Sequence, residues 1–126
     1  MKHGFIKIAA AAPEIRLADA AYNAEILAQT ARNAYENDGA RVIVFPELCL
    51  TGASCGDLFF QSTLIKGAKD ALAAYLELTA DLDALTVVGL PMQMNGKLYN
   101  CAAICSTGTL LGVVPSANAN RHFAKL

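Results

Sequence analysis

The chain has 126 residues, of which 55% are apolar and 17% charged, with a net charge of −1. Mean hydropathy is +0.36 and the pI about 6.0. This composition excludes a disordered chain, a basic nucleic-acid footprint, and a transmembrane span of the roughly 18 apolar residues such a helix needs. The N-terminal stretch Met1–Lys7 does not read as a secretory signal, because the apolar run from Ile8 is short and is followed by Glu14 and Arg16. The expected location is the cytoplasm, with neither a membrane nor a nucleic acid as partner.

Phe5 to Ala11 is a short apolar run closed by Pro13 and predicts a buried strand. Leu17, Ala20, Ala24, Leu27, Ala28, Ala31 and Tyr35 then recur at helical spacing, with Asp19 placed to cap the helix and Asn37-Asp38-Gly39 to stop it. Arg41-Val42-Ile43-Val44-Phe45 is β-branched without alternation, the pattern of a strand covered on both faces; Pro46 ends it. Glu47 to Phe60 reads as a loop, with Asp57 available as a cap. A second helix is expected from Leu64 to Leu82, and a second buried strand over Leu85–Pro91. Asn95-Gly96 and Ser106 to Thr109 predict turns joining strands over Leu98–Ser106 and Leu110–Val114. The order is β-α-β-α-β followed by two more strands, which implies a parallel half with right-handed crossovers and an antiparallel half.

Ligands of open α/β sheets sit beyond the carboxyl ends of the strands. Glu47 stands at such an end, and its position alone allows two readings: a carboxylate whose partial desolvation suits general-base work, or a solvent-facing loop glutamate. Four cysteines, at 49, 55, 101 and 105, lack zinc-site spacing and have only two histidines for company. No metal site is expected. Cys49, Cys101 and Cys105 read as buried apolar residues, and Cys49 and Cys55 as inert thiols without a nearby cation. His3 and His122 read as surface residues. Gly52-Ala53-Ser54-Cys55-Gly56 lacks the Lys and Ser/Thr of a phosphate loop.

Phe45-Pro46-Glu47-Leu48-Cys49-Leu50-Thr51-Gly52 resembles the core motif of the nitrilase, or carbon–nitrogen hydrolase, superfamily. Cys55-Gly56-Asp57-Leu58-Phe59, with Phe5–Ala9 and Asp38–Arg41, narrows the resemblance to the N-terminal glutaminase domain of the glutamine-dependent NAD synthetase family. Val88–Pro91, Leu98–Ala102 and Leu111–Pro115 follow in that family's order. The similarity runs to about residue 115; residues 116–126 diverge. It implies an α-β-β-α sandwich, of which 1–126 is the N-terminal portion, and a Glu-Lys-Cys triad with Glu47 as general base. The cysteine attacks the glutamine amide and the lysine stabilises the tetrahedral intermediate. Ammonia then passes to a synthetase domain that uses ATP and magnesium, outside this chain, and amidates deamido-NAD.

Two departures matter. Ser116 stands where the resemblance implies the lysine, and a serine supplies no cation for an oxyanion. The implied nucleophile lies beyond position 126, and none of the four cysteines matches it. Ala53 replaces a usual aromatic. Lys125 is not assigned the missing role. The expectation is therefore an N-terminal fragment, inactive alone, whose parent is a ligase. A non-catalytic binding or assembly module and a different amidase of the superfamily are the alternatives. A half sandwich would leave apolar positions over Leu98–Val114 open, or covered by a neighbouring copy in at least a dimer.

Overall fold

The computed structural model describes residues 6–52 and 62–115, without the side chains of Ser62 and Thr63. His3, Cys55, Asp57, Ser116, His122 and Lys125, read from the sequence above, lie outside these residues. The elements run β1 (Ile8–Ala10), α1 (Ala20–Asp38), β2 (Val42–Val44), α2 (Ser62–Leu78), β3 (Leu85–Met94), β4 (Lys97–Ser106) and β5 (Thr109–Pro115).

The strands form a five-stranded sheet in the order β1-β2-β3-β4-β5. β1, β2 and β3 are parallel, with Ile43 beside Ala9 and Thr86; β4 and β5 are antiparallel additions. The expected division into a parallel and an antiparallel half is thus present. Asn95-Gly96 and Thr107-Gly108 make the two hairpin turns, each with positive φ at both positions, which matches the right-handed twist of the flanking strands.

The helix ends lie where their capping residues place them. The Asp19 carboxylate accepts from the Tyr22 N–H, and Gly39 closes α1 at φ 71°. Both helices pack on one face of the sheet. Leu27, Ala31, Ala68 and Tyr75 share a buried cluster there with Ile43, Phe45, Val88 and Ala103. Alanines at 20, 24, 28 and 31 are all buried, so α1 packs closely through short side chains.

Three expectations need correction. β1 and β2 are not covered on both faces. Ile8 is 67% exposed and Val44 39% exposed, because among the described residues no helix lies over the face they share with Val114, which is 54% exposed. α2 ends at Leu78 rather than Leu82; the Thr79 hydroxyl bonds back to the Tyr75 carbonyl as the helix stops. β3 runs through Pro91 to Met94. Gly89 turns its N–H and C=O toward the line of β2, so two residues on, the missing donor of Pro91 falls on that side. There β2 has already ended, and no ladder bond is lost.

Candidate active site

β2 delivers the chain to the carboxyl end of the sheet. Phe45 continues the ladder by donating its N–H to the Val87 carbonyl at 3.0 Å, and Pro46 then breaks it. Glu47 to Thr51 form a turn that opens with Leu48 at φ 53°. The Leu48 carbonyl accepts from Thr51 N–H at 3.1 Å and from Gly52 N–H at 2.7 Å.

This turn takes the place beside β3 that β2 vacates. Leu50 N–H donates to the Gly89 carbonyl at 3.1 Å. The Gly89 N–H donates to Cys49 Sγ at 3.2 Å, and the thiol lies 3.6 Å from the Gly89 carbonyl. Backbone contact here is close. A Cβ at Gly89 would lie 2.5 Å from Leu48 N and 2.9 Å from the Pro46 carbonyl oxygen. Only a residue without a side chain lets the turn cross β3 at this distance.

Asn23 holds the other side. It is fully buried on α1, its side-chain amide donating to the carbonyls of Arg16 at 2.7 Å and Leu50 at 2.9 Å while its oxygen accepts from Arg16 N–H. Ala18 N–H adds a bond to the Thr51 carbonyl at 2.8 Å.

Above the turn lies an open cleft of about 320 Å³ on the uncovered face of the sheet. Val44, Val87, Gly89, Ala102 and Val114 form its floor, with Pro115 and Glu47 among its lining. Among the described residues that line it, Glu47 is the charged one. Its side chain is exposed at the rim of the uncovered sheet, as in the solvent-facing reading of this position. An exposed carboxylate beside an apolar floor can accept a proton from a group brought into the cleft. Pro115, at the end of β5, reaches the same cleft, so the chain leaving β2 and the end of β5 meet at one end of the sheet.

The thiols are chemically quiet. Burial pushes Cys49 and Cys105 up to about 11, and Cys101 upward as well. All three are buried, as the sequence suggested. Among the described residues, no group of three His, Cys, Asp or Glu is placed to hold a metal, and no helix is long and apolar enough to cross a membrane.

Sequence reasoning missed Asn23 and Gly89. Both had a signal. Asn23 is the polar residue on an otherwise alanine-and-leucine face, and Gly89 interrupts a β-branched strand run, a mark of close backbone approach.

A mixed sheet with both helices on one side, an open second face and a carboxylate at its carboxyl rim defines the N-terminal part of a nitrilase-like α-β-β-α layer. The chain belongs to the carbon-nitrogen hydrolase family, whose pattern matches residues 7–122. It is 39% identical over 116 residues to the glutamine-dependent NAD(+) synthetase of Mycobacterium tuberculosis, covering 92% of this chain and 17% of that protein. The glutamine-dependent NAD(+) synthetase structure from Cytophaga hutchinsonii superposes with a TM-score of 0.80 at 27% identity, over 88% of this chain and 19% of that one. An amidase from Nesterenkonia sp. shares the fold, with a TM-score of 0.69 at 19% identity, over 88% of this chain and 42% of that one. The chain thus spans about 17% of the mycobacterial synthetases it matches and is homologous to their N-terminal glutaminase region.

Proposed function

We propose that residues 1–126 form the base-bearing portion of a glutaminase domain that supplies ammonia for the ATP-dependent amidation of deamido-NAD. The observation that carries the reading is the position of Glu47, set on a clamped turn at the lip of the cleft that Pro115 also lines. Glu47 serves as general base, taking the proton of a thiol nucleophile as it attacks the glutamine amide. The nucleophile and the oxyanion-stabilising cation come from chain outside these residues, as Ser116 and the buried cysteines imply. ATP and magnesium belong to a synthetase domain outside them too, and the cytoplasm is the expected compartment. Since members of a catalytic unit act together, the 126-residue chain alone is inactive.

The test is ammonia release from glutamine. The 126-residue chain should release none. A polypeptide that carries these residues and completes the unit should release it and lose that activity on Glu47→Gln. Turnover that survives Glu47→Gln would place the chemistry elsewhere.

A second reading rests on the open sheet face. Its paired positions on β1 to β5 carry no charged residue, and Ile8 and Val114 are more than half exposed. Two copies of the chain can meet over these paired positions without desolvating a strand charge, provided Glu47 at the rim stays in contact with water. In that reading the chain is an assembly module and sediments as a dimer at micromolar concentration; a monomeric profile rejects it.

A further inference from the structure

We propose that Asn23 and Gly89 are positioning residues for Glu47, holding its turn from opposite sides so that the carboxylate meets the cleft in one place. The inference rests on the assignment of Glu47 as base and deepens it.

Glu47 is exposed, and its position depends on how its backbone is held. On the β3 side, Gly89 makes both of its backbone bonds to the turn, one to Leu50 and one to Cys49. Its bare Cα lets Leu48 N approach to where a Cβ would stand 2.5 Å away. On the helix side, the buried Asn23 amide takes the Leu50 carbonyl. Leu50 is therefore gripped through its N–H by the strand and through its C=O by the helix. A left-handed residue, Leu48, sits between that grip and Glu47. A non-glycine residue keeps that conformation only where its surroundings over-determine it. Removing either hold lets the turn relax, and the carboxylate moves with it. Cys49 and Leu50 also belong to the buried cluster and Gly89 pairs with Ala102 in the β3–β4 ladder, so loss of the grip has to be told apart from general destabilisation.

Cys49 reports on the grip, since its thiol is buried against Gly89. In a Cys55→Ser background, labelling with an aromatic disulfide reagent followed by peptide mass mapping reads Cys49, Cys101 and Cys105 separately. Asn23→Ala and Gly89→Ala should each speed Cys49 labelling by about tenfold while the two sheet cysteines keep their rates. An equal rise at all three thiols means general destabilisation and overturns the proposal, as does no rise at Cys49. Should both variants fail to fold, amide exchange in the unsubstituted chain decides. The Leu50 amide should be protected like the β3 amides, and exchange at a loop rate refutes the grip.

Ammonia release by a glutamine-hydrolysing polypeptide carrying these residues separates the two ideas. If Glu47→Gln leaves turnover intact, the base assignment fails while the labelling still decides the grip. If Gly89→Ala frees Cys49 yet leaves kcat unchanged, the positioning role is wrong although the grip is real.

Discussion

The Tyr75 hydroxyl donates a 2.8 Å hydrogen bond to Thr86 Oγ1 in the buried interface between α2 and β3. Tyr75 is fully buried, its ring edge-on to Phe45 at 6.5 Å between centroids. Burial drives the phenol's titration upward, so the hydroxyl stays a neutral donor across the physiological range.

From this follows a test of how α2 is seated. Tyr75→Phe removes the donor but keeps the ring, leaving the Thr86 hydroxyl buried without that partner. The loss should be about 1–2 kcal/mol by urea denaturation. Thr86→Val should cost about as much. The double variant should cost clearly less than the sum, because both polar groups then leave together. Additive losses would mean that the bond contributes nothing.

Gly39 and Gly89 are both required, for different physical reasons. At Gly39 nothing lies within 4 Å of a built Cβ, but φ is +71°. Gly39→Ala should therefore cost about 1 kcal/mol from backbone strain alone, and Gly39→Asn less. At Gly89 the obstacle is the turn's own backbone, and the cost appears as movement of the turn. Thermal melts compared with turn-specific labelling distinguish the two. A Gly39→Ala melt equal to that of the unsubstituted chain would refute the strain argument.

Much of the fold was legible because its signals are local. Asp19 and Gly39 bound α1 through their own hydrogen bonds and φ angle, and Asn95-Gly96 sets a hairpin through two positive φ values. The burial of β1 and β2 was not legible. An apolar strand such as Ile8–Ala10 looks the same whether both its faces are covered or one, and what covers a face is not a property of the strand. Pro91 misled in the same way, since its cost depends on whether a neighbour stands beside it. Glu47 could be placed by the strand that precedes it. Its support could not, because Asn23 lies 27 residues from Leu50 and meets it only in the folded chain.

Glu47→Gln should leave stability within about 0.5 kcal/mol of the unsubstituted chain, since the side chain is exposed. This makes it a clean probe of chemistry. Urea midpoints that coincide, together with loss of ammonia release in a competent polypeptide, would separate catalysis from folding. A large drop in stability would show a structural duty for Glu47.

Cys49 and Cys105 should resist thiol reagents at neutral pH. Burial holds both up to about 11, so the reactive thiolate is scarce, and the reagent must wait for the site to open. Labelling should accelerate in urea along the unfolding transition. Fast labelling in buffer would contradict their packing.

Arg32 and Asp81 tie α1 to the turn after α2. The guanidinium meets the carboxylate through two bonds, of 2.9 and 2.8 Å, and also donates to the Leu78 carbonyl at 3.1 Å. The hydrogen bond from Arg32 holds the Asp81 carboxyl below its ordinary 3.8, and Asp81 in turn raises Arg32. Because the folded carboxyl titrates below the unfolded one, its contribution is complete above that ordinary value and is lost as pH falls through the folded one. Asp81→Asn should therefore lower stability slightly at neutral pH, leave it unchanged at the acid end where the carboxyl is already protonated, and so flatten the acid limb. The pair is exposed, so salt should shrink the difference between the two proteins. Urea denaturation followed from neutral pH down to pH of about 2 checks this against the ordinary carboxyl range. An acid limb that is the same with and without Asp81 would mean that other carboxylates set it.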